Sequence, residues 1–214
     1  MKVLLTLFLF IAITSCSQKE LPPPNILWIT AEDISPAFGC YGDDYATTPN
    51  IDQLADDGVV FTNDYATEPI CAPARSCLIT GVYATSMGTQ HLRSDIEIPE
   101  YLETIPEILK TQGYYTTNNS KTDYNFDASG RWDENSGEAH WQNRSGDQPF
   151  FSVFNYGITH EGSGNGFDDK HTRNLEQRHD PANADVPPYF PDTEEFRTIW
   201  ARYYDLITAF DKTV

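Results

Sequence analysis

Basic side chains are scarce: 14 Lys and Arg stand against 32 Asp and Glu, giving a net charge of −18. Affinity for DNA or RNA comes from cations that neutralise phosphates, so this balance excludes a general nucleic-acid binder. An enzyme of anionic substrates with such a surface needs a local positive site. A bound divalent cation with a few aimed basic groups can supply it. The chain also lacks an apolar run long enough to span a bilayer as a stable helix; residues 3–13 are too few. It has no internal repeat, no low-complexity block and no clear linker after Pro24. Aromatics, by contrast, make up 13% of the 214 residues and hydrophobics 39%. That excludes disorder throughout and permits one sizeable core, or part of a larger one.

Lys2 followed by the apolar residues 3–13 reads as a secretory signal. The ending Ile13-Thr14-Ser15-Cys16 resembles a bacterial lipobox, in which cleavage before the cysteine is followed by its lipidation. The expected organisation is a lipoprotein-type signal peptide over 1–15 and a tether over 16–24, polar first and then proline-rich. The implied location is the periplasm, outer membrane or surface of a bacterium, with the membrane touched only through lipid. The alternative is an ordinary signal peptide with an incidental Cys16.

Beyond Pro24, short β-prone runs alternate with helical patterns. Residues 25–30, 59–62, 114–117 and 150–156 read as strands. Thr48 and Pro49 open a helix that stops at Gly58, and a second starts at Pro73 and ends near Gly81. Residues 98–112 carry Leu102, Ile105, Ile108 and Leu109 at helical spacing, and 193–210 form a final helix. The polar stretches 123–147 and 161–192 read as excursions around a site. The alternation predicts an α/β fold with a largely parallel (mixed) sheet flanked by helices. About four strands are few for a large α/β enzyme, and the last helix reaches Val214 without a stop signal, so the fold reads as incomplete at its C-terminus.

One run stands out chemically: Cys71-Ala72-Pro73-Ala74-Arg75. A cysteine just before a helix start sits where exposed N–H groups and the helix dipole favour negative charge, and Arg75 lies about one turn on. Taken alone, a cysteine at a helix start is more often a packed small apolar residue. Glu32 and Asp33 end the first strand, at the edge where α/β sheets place ligands, and paired carboxylates suit a hard cation. Lys121 follows the strand at 114–117, and His160, in Tyr156-Gly157-Ile158-Thr159-His160, follows the strand at 150–156.

The run Cys-x-Pro-x-Arg, continued by Ser76-Cys77-Leu78-Ile79-Thr80-Gly81, resembles the signature of type I sulfatases in the alkaline phosphatase superfamily. The opening strand with Glu32-Asp33, Gly39-Cys40-Tyr41-Gly42, Thr48-Pro49-Asn50-Ile51-Asp52 and Leu54-Ala55 resemble that family in the expected order. The likeness covers residues 24–121 well and the rest loosely. It implies an alkaline-phosphatase-like fold, with 25–214 as the N-terminal part of a catalytic domain. It implies that Cys71 is oxidised to formylglycine (3-oxoalanine) by a formylglycine-generating or radical maturation enzyme.

The family assigns Glu32, Asp33 and residue 71 to a divalent cation, Ca²⁺ or alternatively Mg²⁺. Arg75 would activate the nucleophile, Lys121 would touch the sulfate, and His160 would protonate the leaving group. His91, and with it Arg93, would line the substrate pocket. Two departures matter: the first acid is Glu32 where the family has Asp, and Asp123 stands where it commonly has a histidine. If Cys16 and Cys71 are modified, Cys40 and Cys77 are left to pair or to remain free thiols. The implied reaction is hydrolysis of a sulfate ester or sulfamate on a sulfated glycan. The alternatives are a phosphonate or phosphate monoester hydrolase of the same superfamily, or a non-catalytic remnant. The family's later metal segment and a further substrate lysine are missing from these residues, so little activity is expected of the 214 residues alone.

Overall fold

A computed structural model describes residues 21–165 and 169–214. The expected signal peptide, with Cys16, lies outside the described residues. Four strands form one sheet: β1 (Ile26–Ala31), β2 (Tyr115–Asn119), β3 (Glu134–Asn135) and β4 (Phe150–Tyr156). Their order is β1-β4-β2-β3. Each neighbouring pair is parallel, with Ile26 opposite Phe151 and Tyr115 opposite Phe150. The expected parallel sheet flanked by helices is therefore present.

The helices are α1 (Pro49–Asp57), α2 (Cys71–Thr80), α3 (Ala84–Met87), α4 (Ile105–Thr111), α5 (Glu161–Asn165) and α6 (Glu194–Asp211). Side chains alternate across a strand, so β4 serves two cores. Phe151 and Val153 pack with Ile79 of α2, with Trp132, and with Ile105 and Leu109 of α4. Trp132 stacks on Phe151 at a centroid distance of 5.6 Å. On the opposite face Tyr156 meets Phe210 of α6 edge-on at 5.8 Å. Phe210 is buried there, as are Leu206 and Ile207 elsewhere on α6, so a helix packs on this face too.

The termini of α1 join distant parts of the chain. Thr48 and Gly58 flank it as expected, but its first N–H groups are held by α6. Ile51 N donates to Asp211 Oδ1 at 2.8 Å, and Asn50 Nδ2 donates to Asp211 Oδ2 at 2.9 Å. Asp211 is 1% exposed.

Four expectations need correction. Residues 59–62 are not a strand: Val59 is 79% and Phe61 71% exposed, and without a pleated surface to fit, β-prone side chains do not make a strand. The helix expected over 98–112 begins only at Ile105. Pro106 would clash inside a longer helix but suits a first turn, and Thr104 with Glu107 forms a capping box there. α2 begins at Cys71, two residues before Pro73, so the cysteine is the first helical residue and not the one before the helix. β3, within the stretch expected to be an excursion, is added as the last strand of the sheet.

Candidate active site

Parallel strands deliver their carboxyl ends to one edge of the sheet, and three neighbours here leave functional side chains at that edge. Glu32 and Asp33 follow β1, Lys121 follows β2 and His160 follows β4. α2 starts beside them with Cys71. Glu32, Asp33, Cys71, Arg75 and Lys121 line one cavity of about 330 Å³. His160 stands at its rim, with Nε2 3.8 Å from Glu32 Oε2 and 3.8 Å from Asp33 Oδ2.

The two acids are fixed in different ways. Thr159 Oγ1 donates to the Glu32 carbonyl, and Lys121 Nζ donates to Glu32 Oε2 at 2.8 Å. Asp33 Oδ2 accepts from Glu161 N at 2.9 Å, and the Tyr203 hydroxyl donates to the Asp33 carbonyl at 3.4 Å. Burial pushes the Tyr203 hydroxyl above the ordinary tyrosine value, which keeps it a donor. Asp33 adopts φ 48°, a left-handed conformation that ends β1 and turns the carboxylate out of the sheet.

His160 Nδ1 accepts from Gly162 N at 3.1 Å. A neutral ring in that arrangement carries its proton on Nε2, the nitrogen that faces the carboxylates and the cavity. With its side chain 39% exposed, His160 is open to a ligand.

Arg75 is engaged in a network below the cavity. Its Nε donates to the Thr122 carbonyl at 2.7 Å. Its Nη2 donates to the Lys121 carbonyl at 2.5 Å and to Asn155 Oδ1 at 2.8 Å. Asn155, on β4, also accepts from Thr30 Oγ1 of β1 at 3.0 Å and donates to Asn118 Oδ1 of β2 at 2.9 Å. α2 and three strands are thereby tied to the segment that carries Lys121. A guanidinium suits this role because its donors lie in a fixed fork.

Glu32 and Asp33 offer hard oxygen donors of the kind Ca²⁺ and Mg²⁺ take, and the cavity before them is open, so their chemistry fits such a cation. They supply part of a coordination shell: among the described residues no group of three or more His, Cys, Asp or Glu is arranged to hold a metal. His91 is exposed and stands outside the cavity lining; its carbonyl accepts from Asn125 Nδ2 at 2.8 Å. Cys40, Cys71 and Cys77 are free and half-buried.

Sequence reasoning passed over Asn155, Thr159 and Tyr203. Asn155 had one usable signal, a polar residue inside an otherwise aromatic strand end. Nothing local marked Thr159 or Tyr203, whose partners lie 127 and 170 positions away.

The Sulfatase family model matches residues 24–181, more than half of the chain. The chain is 43% identical over 160 residues to an ulvan-active sulfatase of Formosa agariphila, an alignment covering 68% of this chain and 27% of that protein. Its fold is similar to that of a 2-O GAG sulfatase, with a TM-score of 0.66 and 17% identity over 88% of this chain and 52% of the other. It is similar also to a phosphonate monoester hydrolase from Silicibacter pomeroyi, with a TM-score of 0.64 and 16% identity over 89% and 57%. At those identities the two structures show the fold alone. The chain spans about a quarter of the length of the curated relative. The matched residues include Glu32, Asp33, Cys71, Arg75, Lys121 and His160, the residues that the sheet edge brings together. The chain belongs to the sulfatase family, the type I sulfatases of the alkaline phosphatase superfamily.

Proposed function

We propose that this chain carries the nucleophile side of a sulfuric ester hydrolase acting on sulfated glycans. The observation that carries the reading is the shared cavity: Cys71 at the first residue of α2 faces Glu32, Asp33 and Lys121, with His160 at the rim.

Oxidised to formylglycine, residue 71 supplies two hydroxyls on one hydrated carbon, one to attack sulfur and one to release the sulfate afterwards. Glu32 and Asp33 would hold a divalent cation, which would supply positive charge for the sulfate oxygens. The chain's own residues do the rest. Lys121 offers its ammonium to the sulfate. His160 aims its Nε2–H at the departing alcohol or amine as a hydrogen-bond donor; transfer of a proton takes the imidazolium form, in which Nδ1 also carries a proton and gives up the Gly162 N–H contact. Arg75 and Asn155 hold the Lys121 segment against α2, so the nucleophile and the cationic arm keep their spacing. The helix start favours negative charge developing at residue 71.

The ulvan-active relative supports a glycan substrate. An exported, lipid-anchored form with Cys16 modified suits a polymeric substrate outside the cell. A maturation enzyme is the partner that conversion of Cys71 requires.

Mass spectrometry of the peptide containing residue 71, from protein coexpressed with a maturation system, tests the central claim. A loss of about 18 Da, the thiol-to-aldehyde difference, is expected. An unmodified thiol would refute it. Turnover of sulfated oligosaccharides against aryl sulfates tests the substrate class, and preference for aryl sulfates alone would count against a glycan. Matched phosphate esters turned over faster than sulfates would show a phosphomonoesterase instead.

A further inference from the structure

Lys121 lies between two carboxylates. Its Nζ is 2.8 Å from Glu32 Oε2 and 3.8 Å from Asp123 Oδ2. Asp123 Oδ2 is buried and has no hydrogen-bond partner among the described residues. A buried carboxylate oxygen without a donor is costly, and the ammonium of Lys121 is the cation in reach of it. Asp123 is held at φ 49°, in the left-handed region, which fixes the direction of its side chain.

The backbone around Lys121 is pinned. Its carbonyl accepts from Arg75 Nη2 at 2.5 Å and from Asn118 Nδ2 at 3.1 Å, and the next carbonyl accepts from Arg75 Nε at 2.7 Å. The side chain, 27% exposed, keeps its freedom. A dication on Glu32 and the Lys121 ammonium cannot both sit on Glu32 Oε2 without strong like-charge repulsion.

We propose that Lys121 exchanges between Glu32 and Asp123, and that Asp123 is the positioning residue that receives its charge when a divalent cation takes Glu32. This rests on the reading of Glu32 and Asp33 as cation ligands. It gives Asp123, which stands where the family commonly has histidine, a role that histidine could not play in the same way: a carboxylate accepts the displaced ammonium.

Calorimetric titration of the folded chain with Ca²⁺ tests it, with circular dichroism confirming the fold of each variant. Asp123→Asn is expected to weaken Ca²⁺ binding roughly threefold to tenfold, the range of a partly buried ion pair, and Asp123→Glu to restore most of it. With Lys121→Met present, the same Asp123→Asn change is expected to cost less than about twofold, because the charge it would receive is gone. An equal loss in both backgrounds would overturn the exchange and make Asp123 act on the cation directly. Unchanged binding in Asp123→Asn would overturn the exchange alone. A wild-type chain that binds no Ca²⁺ would overturn the cation reading with it.

Discussion

His160 presents a protonated Nε2 to the cavity because its other nitrogen accepts a backbone N–H. Its importance should therefore depend on the leaving group. His160→Asn is expected to lower kcat/KM for sugar sulfates by about 10²–10⁴, the usual contribution of a positioned general acid. Aryl sulfates, whose phenolate leaves without help, should lose much less. Equal losses for both substrate types would contradict the assignment. At this scale the sequence was informative where one residue type has one chemical role. Cys71, Lys121 and His160 follow recognisable strand or helix boundaries. Arg75 was legible as a site residue but not in its partners. Its engagement with the carbonyls of residues 121 and 122 depends on the loop's path, which no local spacing encodes.

Helix boundaries here are set by side chains that satisfy first-turn N–H groups. Asp211→Ala removes the acceptor that α6 places at the start of α1 and is expected to cost about 2–3 kcal/mol, read as a shift in urea unfolding. Glu107 gives a pH-dependent counterpart at α4. Burial works to raise its carboxyl pKa, but hydrogen bonds from Thr104 and Arg131 outweigh it and hold the pKa below the ordinary value. A carboxyl depressed in the folded state contributes stability above the unfolded value of about 4.3, and that contribution is lost as pH falls through the lower folded value. Glu107→Gln should therefore lower stability at neutral pH and flatten the acid limb of the stability profile; an unchanged limb would contradict this. The same box explains why the helical spacing from residue 98 misled. Periodicity registered Leu102, while Thr104 and Pro106 set the start. β4 was legible at its full length because its apolar run faces a core on each side. Residues 59–62 are also β-prone but have no surface to pack on.

The whole molecule carries −18 net charge, and self-repulsion at that level opposes compactness. Raising NaCl from about 0.02 M to about 0.3 M shortens the screening length several-fold, so the midpoint of thermal unfolding is expected to rise. A fall would show that attractive surface pairs dominate. The parallel α/β architecture was legible from the alternation of strand and helix patterns. The strand order was not, because pairing across 125 positions is decided by tertiary packing.

That order has a consequence for how the chain is made. β1 carries Glu32 and Asp33 at its end, and its strand neighbour is β4. During synthesis, which runs from the N-terminus, residues 26–31 emerge first and wait for residues 150–156 before any ladder can form. Closing a loop of that size is slow compared with local helix formation. Glu32 and Asp33 are thus translated well before the strand that places them. A chain halted before β4 would hold Cys71 and Arg75 within a local helix, yet have no sheet edge for them to face.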